Sequence, residues 1–123
     1  MTRGFVPQVA QDLAKARTLE LVSRIPKSYD LDNCYPNPFN PSTQISYSIA
    51  EPSKLSLVIY DVLGREIATL AKGNEQAGRY TVTWNSQSSG LPVSSGIYFA
   101  RLRVLNGIGG VEFTKTIRLL LVK

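Results

Sequence analysis

The residue types that carry catalytic chemistry are sparse in this sequence. It contains no histidine and one cysteine, Cys34. Without histidine a conventional hydrolytic triad cannot form, and metal sites built on histidine or on cysteine pairs are excluded within one chain. Asp61 has no second carboxylate placed to make a glycosidase pair, and with Gly64 close behind we interpret it as a turn cap. The sequence therefore predicts a protein that is not an enzyme and needs no cofactor or metal. An all-oxygen calcium site stays open as an alternative, although no Asp/Asn-rich loop of the usual spacing is present.

Three basic residues near the C terminus are the strongest candidates for a binding role. Lys115, Arg118 and Lys123 surround an apolar run that reads as the last β-strand. Such a strand at a sheet edge can add to a partner protein by main-chain pairing, with charge as a second attraction. The alternative is an ordinary strand with a solvated outer face. Both interpretations stay open at this point.

Trp84 and the lone thiol allow a functional and a structural interpretation each. An exposed Trp84 ring could bind the face of a sugar, but a tryptophan in a strand more often belongs to the core. The same choice holds for Tyr60, Tyr80 and Tyr98, and packing is again the favoured interpretation. Cys34 would either pair between chains in an exported protein or stay inert, and we favour the inert thiol.

The positive charge of the chain is spread along the sequence. The formal net charge is +5 and the isoelectric point is near 9.6. No basic run or basic helix with interleaved aromatic residues occurs, so we predict no nucleic-acid partner. The cations concerned are Lys54, Arg65, Lys72, Arg79, Arg101, Arg103, Lys115 and Arg118.

The elements that must position these residues are short strands. From Thr43 onward, apolar side chains alternate with polar ones, and the runs are separated by turn residues such as Asp61–Gly64 and Asn106-Gly107. Six or seven such strands predict an all-β, immunoglobulin-like antiparallel β-sandwich of about seven strands over residues 31–123. The side chains predicted to face the core are Ile45, Tyr47, Ile49, Leu55, Leu57, Ile59, Tyr80, Val82, Trp84, Tyr98, Ala100, Leu102, Val104, Phe113, Ile117 and Leu119.

Residues 1–30 differ in composition from the rest. From Gln8 to Arg24 the sequence has no glycine or proline, and its apolar spacing approximates a helix. We interpret residues 1–30 as a helical segment or linker, as the end of a removed cargo domain, or as vector-derived. No apolar run is long enough to cross a bilayer, and the start lacks the apolar core of a signal peptide.

The stretch "YPNPFNP" stiffens the chain just before the first clear strand. Pro36, Pro38 and Pro41 lack backbone donors, so this stretch cannot be a central strand. We interpret it as a rigid edge segment that ends a linker. Phe39 in its middle is placed to fill one end of the sandwich.

Five ordered stretches carry a family resemblance. "LDNCYPNPFNPSTQISYSI", "LSLVIYDVLGREIATL", "AGRYTVTWN", "SSGLPVSSGIYFARL" and "TKTIRLLLVK" together resemble the C-terminal sorting domain of type IX secretion. A relative of similar topology occurs in the flagellar hook-capping protein. The resemblance covers Leu31 to Lys123. Cys34 stands where the motif usually has asparagine, and "WNSQSSG" lacks the usual aspartate. The positions that match the family motif are Pro36, Pro38, Phe39, Asp61, Gly64, Gly78, Trp84, Gly96 and Tyr98.

The resemblance implies a non-catalytic export signal. It implies that a cargo N-terminal to the domain folds in the periplasm, and that the outer-membrane translocon of type IX secretion then recognises the domain. A sortase-like peptidase commonly removes the domain, so the cargo ends secreted or on the cell surface. Lys115, Arg118 and Lys123 lie where the family carries its recognition signal. On this view, deleting "RLLLVK" should abolish export without unfolding the sandwich.

Two other functions remain open. One is an accessory sandwich that binds carbohydrate or protein and stays on the mature protein. The other is a hook-cap-like assembly domain, in which the same sandwich makes subunit contacts.

Overall fold

The computed structural model describes residues 26–88 and 93–123, and all its regular elements are strands. The helix predicted between Gln8 and Arg24 lies outside the described residues. The strands are β1 (Asp30–Leu31), β2 (Ser42–Ile49), β3 (Ser53–Tyr60), β4 (Glu66–Glu75), β5 (Gly78–Asn85), β6 (Gly96–Leu105) and β7 (Val111–Leu121).

These strands form two antiparallel sheets. The smaller sheet has the order β1-β2-β5 and the larger sheet has the order β4-β3-β6-β7. The facing apolar sides of the two sheets enclose one core. The predicted immunoglobulin-like β-sandwich of about seven strands is confirmed, and β7 forms one edge of the larger sheet.

The alternation read from the sequence decides which side chains enter the core. Ile45, Leu57, Leu102 and Leu119 are all fully buried, as their strand parity predicts. Each side chain of this kind contributes roughly 1.5–3 kcal/mol by leaving water. Leu121 also has no exposed surface. The last strand is therefore part of the core layer along its C-terminal half.

β4 departs from simple alternation because of two bulges. Its pairing with β3 shifts register between Leu57 and Val58 and again between Ile59 and Tyr60. Each shift leaves one extra residue on β4, Leu70 at the first and Ile67 at the second. Both extra residues are half-buried against the core. An inserted residue resets the parity of a strand, so this segment shows no simple alternation in the sequence.

The two predicted turns form as expected. Asp61 Oδ1 accepts hydrogen bonds from the backbone N–H groups of Leu63 and Arg65, both at 2.9 Å. Gly64 has a φ of +82°, which favours glycine. In the β6–β7 hairpin, Asn106 Oδ1 accepts from the backbone of Ile108 at 3.0 Å and of Gly110 at 2.9 Å. Asp61 is thus a turn cap.

The smaller sheet starts earlier than the alternating pattern shows. Asp30 pairs with Ser48, and Leu31 pairs with Tyr47, so β1 is an edge strand of two residues. The Leu31 side chain is fully buried. The Tyr29 ring lies 6.0 Å from the Phe113 ring of β7. A two-residue strand has no periodicity to detect, so only the tertiary contacts define it.

The side of the sandwich opposite β7 is closed by a tyrosine and a glutamate. The Tyr47 hydroxyl of β2 donates a hydrogen bond of 2.6 Å to Glu75 Oε1 at the end of β4. The Tyr80 ring stacks on Tyr47 with centroids 5.3 Å apart. Burial first, and then the Glu75 carboxylate, raise the pKa of Tyr47 above its ordinary value. This contact joins the two sheets at their β4 and β5 edges.

Candidate protein-docking edge

The surface most open to a partner's backbone is the outer side of β7. β7 pairs with β6 on one side, from Leu105–Val111 to Gly96–Leu121. The other side of β7, called here the terminal edge, faces away from the larger sheet. Such an edge exposes main-chain donors and acceptors that another strand can use. Its two halves differ in what covers them.

The proline segment, residues 36–41, covers the C-terminal half of the terminal edge. The Phe39 N–H donates to the Leu120 carbonyl at 2.9 Å, and the Val122 N–H donates to the Phe39 carbonyl at 3.0 Å. Asn37 Oδ1 accepts from the Leu120 N–H at 3.0 Å, and Asn37 Nδ2 donates to the Arg118 carbonyl at 3.2 Å. The segment therefore acts as a short substitute strand at this place.

The N-terminal half of the terminal edge has no such cover among residues 26–88 and 93–123. The backbone groups of Leu120 and Arg118 point outward, since they bond to the proline segment. In an antiparallel strand every second residue points its N–H and C=O to the same side. Those of Thr116 and Thr114 therefore point outward as well. Both residues are exposed.

The three predicted recognition residues do not form one cluster. Lys115 is on the core-facing parity of β7 and binds Asp30 of β1, with Nζ and Oδ1 2.8 Å apart. Arg118 is exposed on the opposite face, in register with Phe99. Lys123 follows the strand, and its backbone N–H donates to Ser95 Oγ at 2.9 Å. Lys115 is thus a link between the sheets rather than an open contact point.

The Lys115–Asp30 pair joins the two sheets at the side of the sandwich where β7 lies. The hydrogen bond from Lys115, with a further one from the Leu31 backbone, holds the pKa of the Asp30 carboxyl below its ordinary value. Both side chains are nearly half exposed. A pair in such contact with water contributes little to stability.

Trp84 and Tyr98, considered for sugar binding, are used for core packing, whereas Tyr60 lies half-buried on the outer face of the larger sheet under Arg101. Trp84 is buried with 3% of its surface exposed. Its ring lies 5.3 Å from the Phe39 ring and 5.4 Å from the Tyr98 ring, measured between centroids. Phe39 fills one end of the sandwich as predicted. Since Trp84 has no open ring face, it offers no platform for a sugar.

The remaining positions of the family motif have structural placements. The Pro36 carbonyl accepts a 2.7 Å hydrogen bond from Thr43 Oγ1. Pro38 directly precedes the buried Phe39. The Tyr98 hydroxyl donates a hydrogen bond of 2.6 Å to the Ser94 carbonyl. Gly78 and Gly96 begin β5 and β6. Cys34 is buried and its thiol is free.

One premise of the sequence interpretation is wrong. Deletion of "RLLLVK" was expected to leave the sandwich intact. Leu119 and Leu121 lie in that stretch, and both are fully buried. Loss of several core side chains costs more free energy than a small domain can spare. This deletion would remove the fold together with any docking signal.

A basic surface is present in the fold that the sequence does not reveal. Cations that are far apart in the sequence meet on the outer face of the larger sheet, since strand pairing places Ser56 beside both Lys72 and Arg103, and Val58 beside Arg101. The basic face consists of Lys54, Lys72, Arg101, Arg103 and Arg118, with Tyr60 and Phe99 among them. The inference of dispersed charge holds for the sequence but is wrong for the fold.

Arg101 shows how this face is organised. Its guanidinium carbon lies 5.1 Å from the centroid of the Tyr60 ring, a cation–π distance. Its Nε donates a long hydrogen bond of 3.4 Å to Thr116 Oγ1 on β7. The Arg101 side chain thus reaches the strand that carries the terminal edge. The contact between Arg101 and Thr116 depends on the register of β6 and β7, and the contact between Arg101 and Tyr60 depends on the register of β3 and β6.

No group of metal-ligating side chains occurs among the described residues. In the same part of the chain, no helix has the length and apolar character needed to cross a membrane.

A comparison with known families identifies the sandwich. The family profile described as "FlgD Ig-like domain" matches residues 39–107, more than half of the 123 residues. The chain belongs to the FlgD Ig-like domain family. The match begins at the buried Phe39 and ends in the hairpin before β7, so it covers β2 to β6 of the FlgD Ig-like fold. A comparison with curated proteins gave no match.

Proposed function

We propose that this FlgD Ig-like domain is a non-catalytic protein-binding module that docks a partner through the terminal edge. The observation that carries the proposal is the uncovered half of β7, where Thr114 and Thr116 present backbone groups outward beside a basic face. Strand addition to such an edge gives affinity through main-chain hydrogen bonds and specificity through alternate side chains. The proline segment limits the docking length to residues 111–116.

The family match supports a hook-cap-like assembly domain as the specific function. In this version the docking partner is another subunit of an assembly, and the sandwich supplies a rigid surface for the contact. The match covers the sheets that build this surface but does not include β7. The assembly version therefore has more support from the family than the export version has.

The second candidate is the export signal of type IX secretion. It is supported by the five ordered stretches of the sequence resemblance and by the position of β7 as an outer strand of the larger sheet. In this version the partners are the translocon and a sortase-like peptidase, and the cargo precedes the domain. The cargo would pass through the periplasm and outer membrane, and it would then be secreted or attached to the cell surface.

A proline at position 116 tests the docking edge without removing core residues. Thr116→Pro deletes one outward N–H, and proline is tolerated on edge strands at positions whose N–H faces solvent. Thr116→Val is the matched control, because it keeps the N–H and changes only the hydroxyl. Circular dichroism and thermal unfolding would verify that both variants retain the fold.

Two assays separate the two versions. For assembly, sedimentation velocity of the chain mixed with a candidate partner subunit should show a complex that Thr116→Pro weakens and Thr116→Val keeps. For export, the full chain fused behind a periplasmic reporter should carry the reporter out of a host with type IX secretion, and Thr116→Pro should reduce this. If Thr116→Pro matches the parent in both assays while folding normally, the terminal edge is not the docking surface.

A further inference from the structure

The row of residues beside the uncovered half of β7 has a regular charge pattern. Arg103 pairs with Thr114, and Arg101 pairs with Thr116, in the β6–β7 register. On the outer face, the two long arginine side chains of β6 therefore lie next to the two short threonine side chains of β7. Among the described residues, no side chain occupies the position beyond each threonine, on the open side of β7. An added strand would lie there.

The threonines leave a path for the arginines to reach an added strand. The Arg101 Nε lies 3.4 Å from the Thr116 hydroxyl of β7, while its guanidinium stacks on Tyr60 of β3, so it must leave Tyr60 to extend over β7. Neighbouring strands lie about 4.8 Å apart, which puts a residue of an added strand roughly 10 Å from the Arg101 backbone. An arginine and a glutamate side chain can together close that distance. A carboxylate there would accept charge-assisted hydrogen bonds.

We propose that the terminal edge binds an extended acidic segment of a different protein, with carboxylates at alternate positions that face Arg101 and Arg103 across Thr116 and Thr114. The proposal rests on the docking edge proposed above and names the chemistry of its partner. Alternation follows from the period of two in a strand, since only every second side chain would lie on the basic face.

Charge complementarity selects this occupant. The basic face also carries Lys54, Lys72 and Arg118, together with one acidic residue on β4, Glu66, which pairs with Tyr60. Glu112, at the bulge near the start of β7, is the nearest acidic residue along that strand. A segment with basic side chains at the alternate positions would meet like charge, which suppresses binding of wrong partners. The uncovered backbone groups favour a polypeptide over a nucleic acid, because a strand can use them.

A second copy of this chain fits less well. Among the described residues, the acidic residues spaced two apart are Asp30 and Asp32. Asp30 already pairs with Ser48 in β2 and binds Lys115. Presenting this stretch to a neighbour would break both contacts, so we assign the edge to another protein.

Peptide binding tests the proposal on the full chain. The probes are two fluorescein-labelled nonapeptides, one in which glutamate alternates with threonine and one in which glutamine replaces glutamate. By fluorescence anisotropy at low salt, the glutamate peptide should bind at least about tenfold more tightly than the glutamine peptide, and added salt should reduce the difference.

Three variants identify the groups that act. Arg101→Gln combined with Arg103→Gln should remove the preference for glutamate. Lys72→Gln is the matched control, because it removes a charge from the same face but lies on β4 at the far side of the sheet. Thr116→Pro should abolish binding of both peptides, and hydrogen exchange at the Thr116 amide should slow when the glutamate peptide is added.

The outcomes separate this inference from the docking proposal. If both peptides bind equally and Thr116→Pro abolishes the binding, the edge docks strands but the acidic preference is overturned. If Thr116→Pro leaves glutamate-peptide binding unchanged, the attraction is charge alone and strand addition is overturned. The inference is also overturned if neither peptide binds. A twelve-nucleotide oligo-dT serves as a nucleic-acid probe, and binding of this probe alone, through Arg101 and Arg103, would likewise overturn the inference.

Discussion

The C-terminal half of β7, residues 117–121, has a different environment from its N-terminal half, residues 111–116. The C-terminal half places Ile117, Leu119 and Leu121 in the core, and the proline segment bonds its outer backbone groups. The N-terminal half has exposed side chains at Thr114 and Thr116, and no bond from the described residues covers its outer backbone. One strand thus has a structural half and an accessible half.

The difference shows that the position of a strand in the sequence does not by itself make it a docking element. The last residues of β7 were the expected recognition signal, yet they are the part of the strand that is most enclosed. The part that can accept a partner is the preceding half of the strand, residues 111–116. The proline segment draws the boundary between the two halves, through Asn37 and Phe39.

The largest expected effect contrasts the core side chains with the edge side chains of β7. Leu119→Ala leaves a cavity at a fully buried site and should lower the free energy of unfolding by about 2–5 kcal/mol. Thr116→Ala changes an exposed side chain and should stay within about 0.5 kcal/mol of the parent. Urea unfolding followed by circular dichroism measures both. Similar losses for the two variants would refute the division of β7 into halves.

A smaller effect is expected when the proline segment loses its hold on β7. Asn37→Ala removes two hydrogen bonds to the β7 backbone, at 3.0 and 3.2 Å, and should cost about 1–2 kcal/mol. Hydrogen exchange at the Leu120 amide should become faster. The control is Asn40→Ala, an exposed neighbour whose side chain forms no hydrogen bond with the described residues. An unchanged Leu120 exchange rate in Asn37→Ala would contradict the proposed cover.

The smallest effect concerns the ion pair behind the accessible half. Asp30→Asn removes the Lys115 bridge and should cost less than about 1 kcal/mol at pH 7, because both side chains contact water. The pKa of Asp30 is lowered in the folded state, so the unfolded state binds a proton first as pH falls. The stabilisation is therefore complete above the ordinary carboxyl pKa of about 3.8 and disappears below the folded-state pKa.

Unfolding measured from pH 7 down to pH 2.5 checks this dependence. The difference between the parent and Asp30→Asn should shrink steadily in acid. The control is a Lys115→Gln background, in which the Asp30→Asn difference should depend much less on pH because the main hydrogen bond to the carboxyl is gone. A difference that grows in acid would mean that the sign of the Asp30 shift is wrong.

Much of the fold could be predicted from local patterns. Leu57, Leu102 and Leu119 could be assigned to the core from parity alone, because a strand places alternate side chains on opposite faces. The Asp61–Gly64 turn followed from the bonding habit of aspartate and the φ freedom of glycine. Phe39 could be assigned to the end of the sandwich because prolines surround an apolar ring.

Other features could not be predicted from the pattern. The bulges at Ile67 and Leu70 break the alternation, and β1 is too short to show any. The sequence predicts Lys115 as an open recognition residue. In the fold it contacts Asp30, 85 positions away in the sequence. Contacts over such separations depend on which strands become neighbours, and local residue preferences carry little information about that.

By itself the sequence determined that this chain forms short antiparallel strands with one apolar side each, because the period of two and the turn residues act over a few positions. Only the tertiary structure decided that β7 is an edge strand, that the proline segment covers half of it, and that scattered cations form one basic face. The physical reason is strand register: it sets the neighbours of each side chain across the sheet, and it depends on the packing of the whole core.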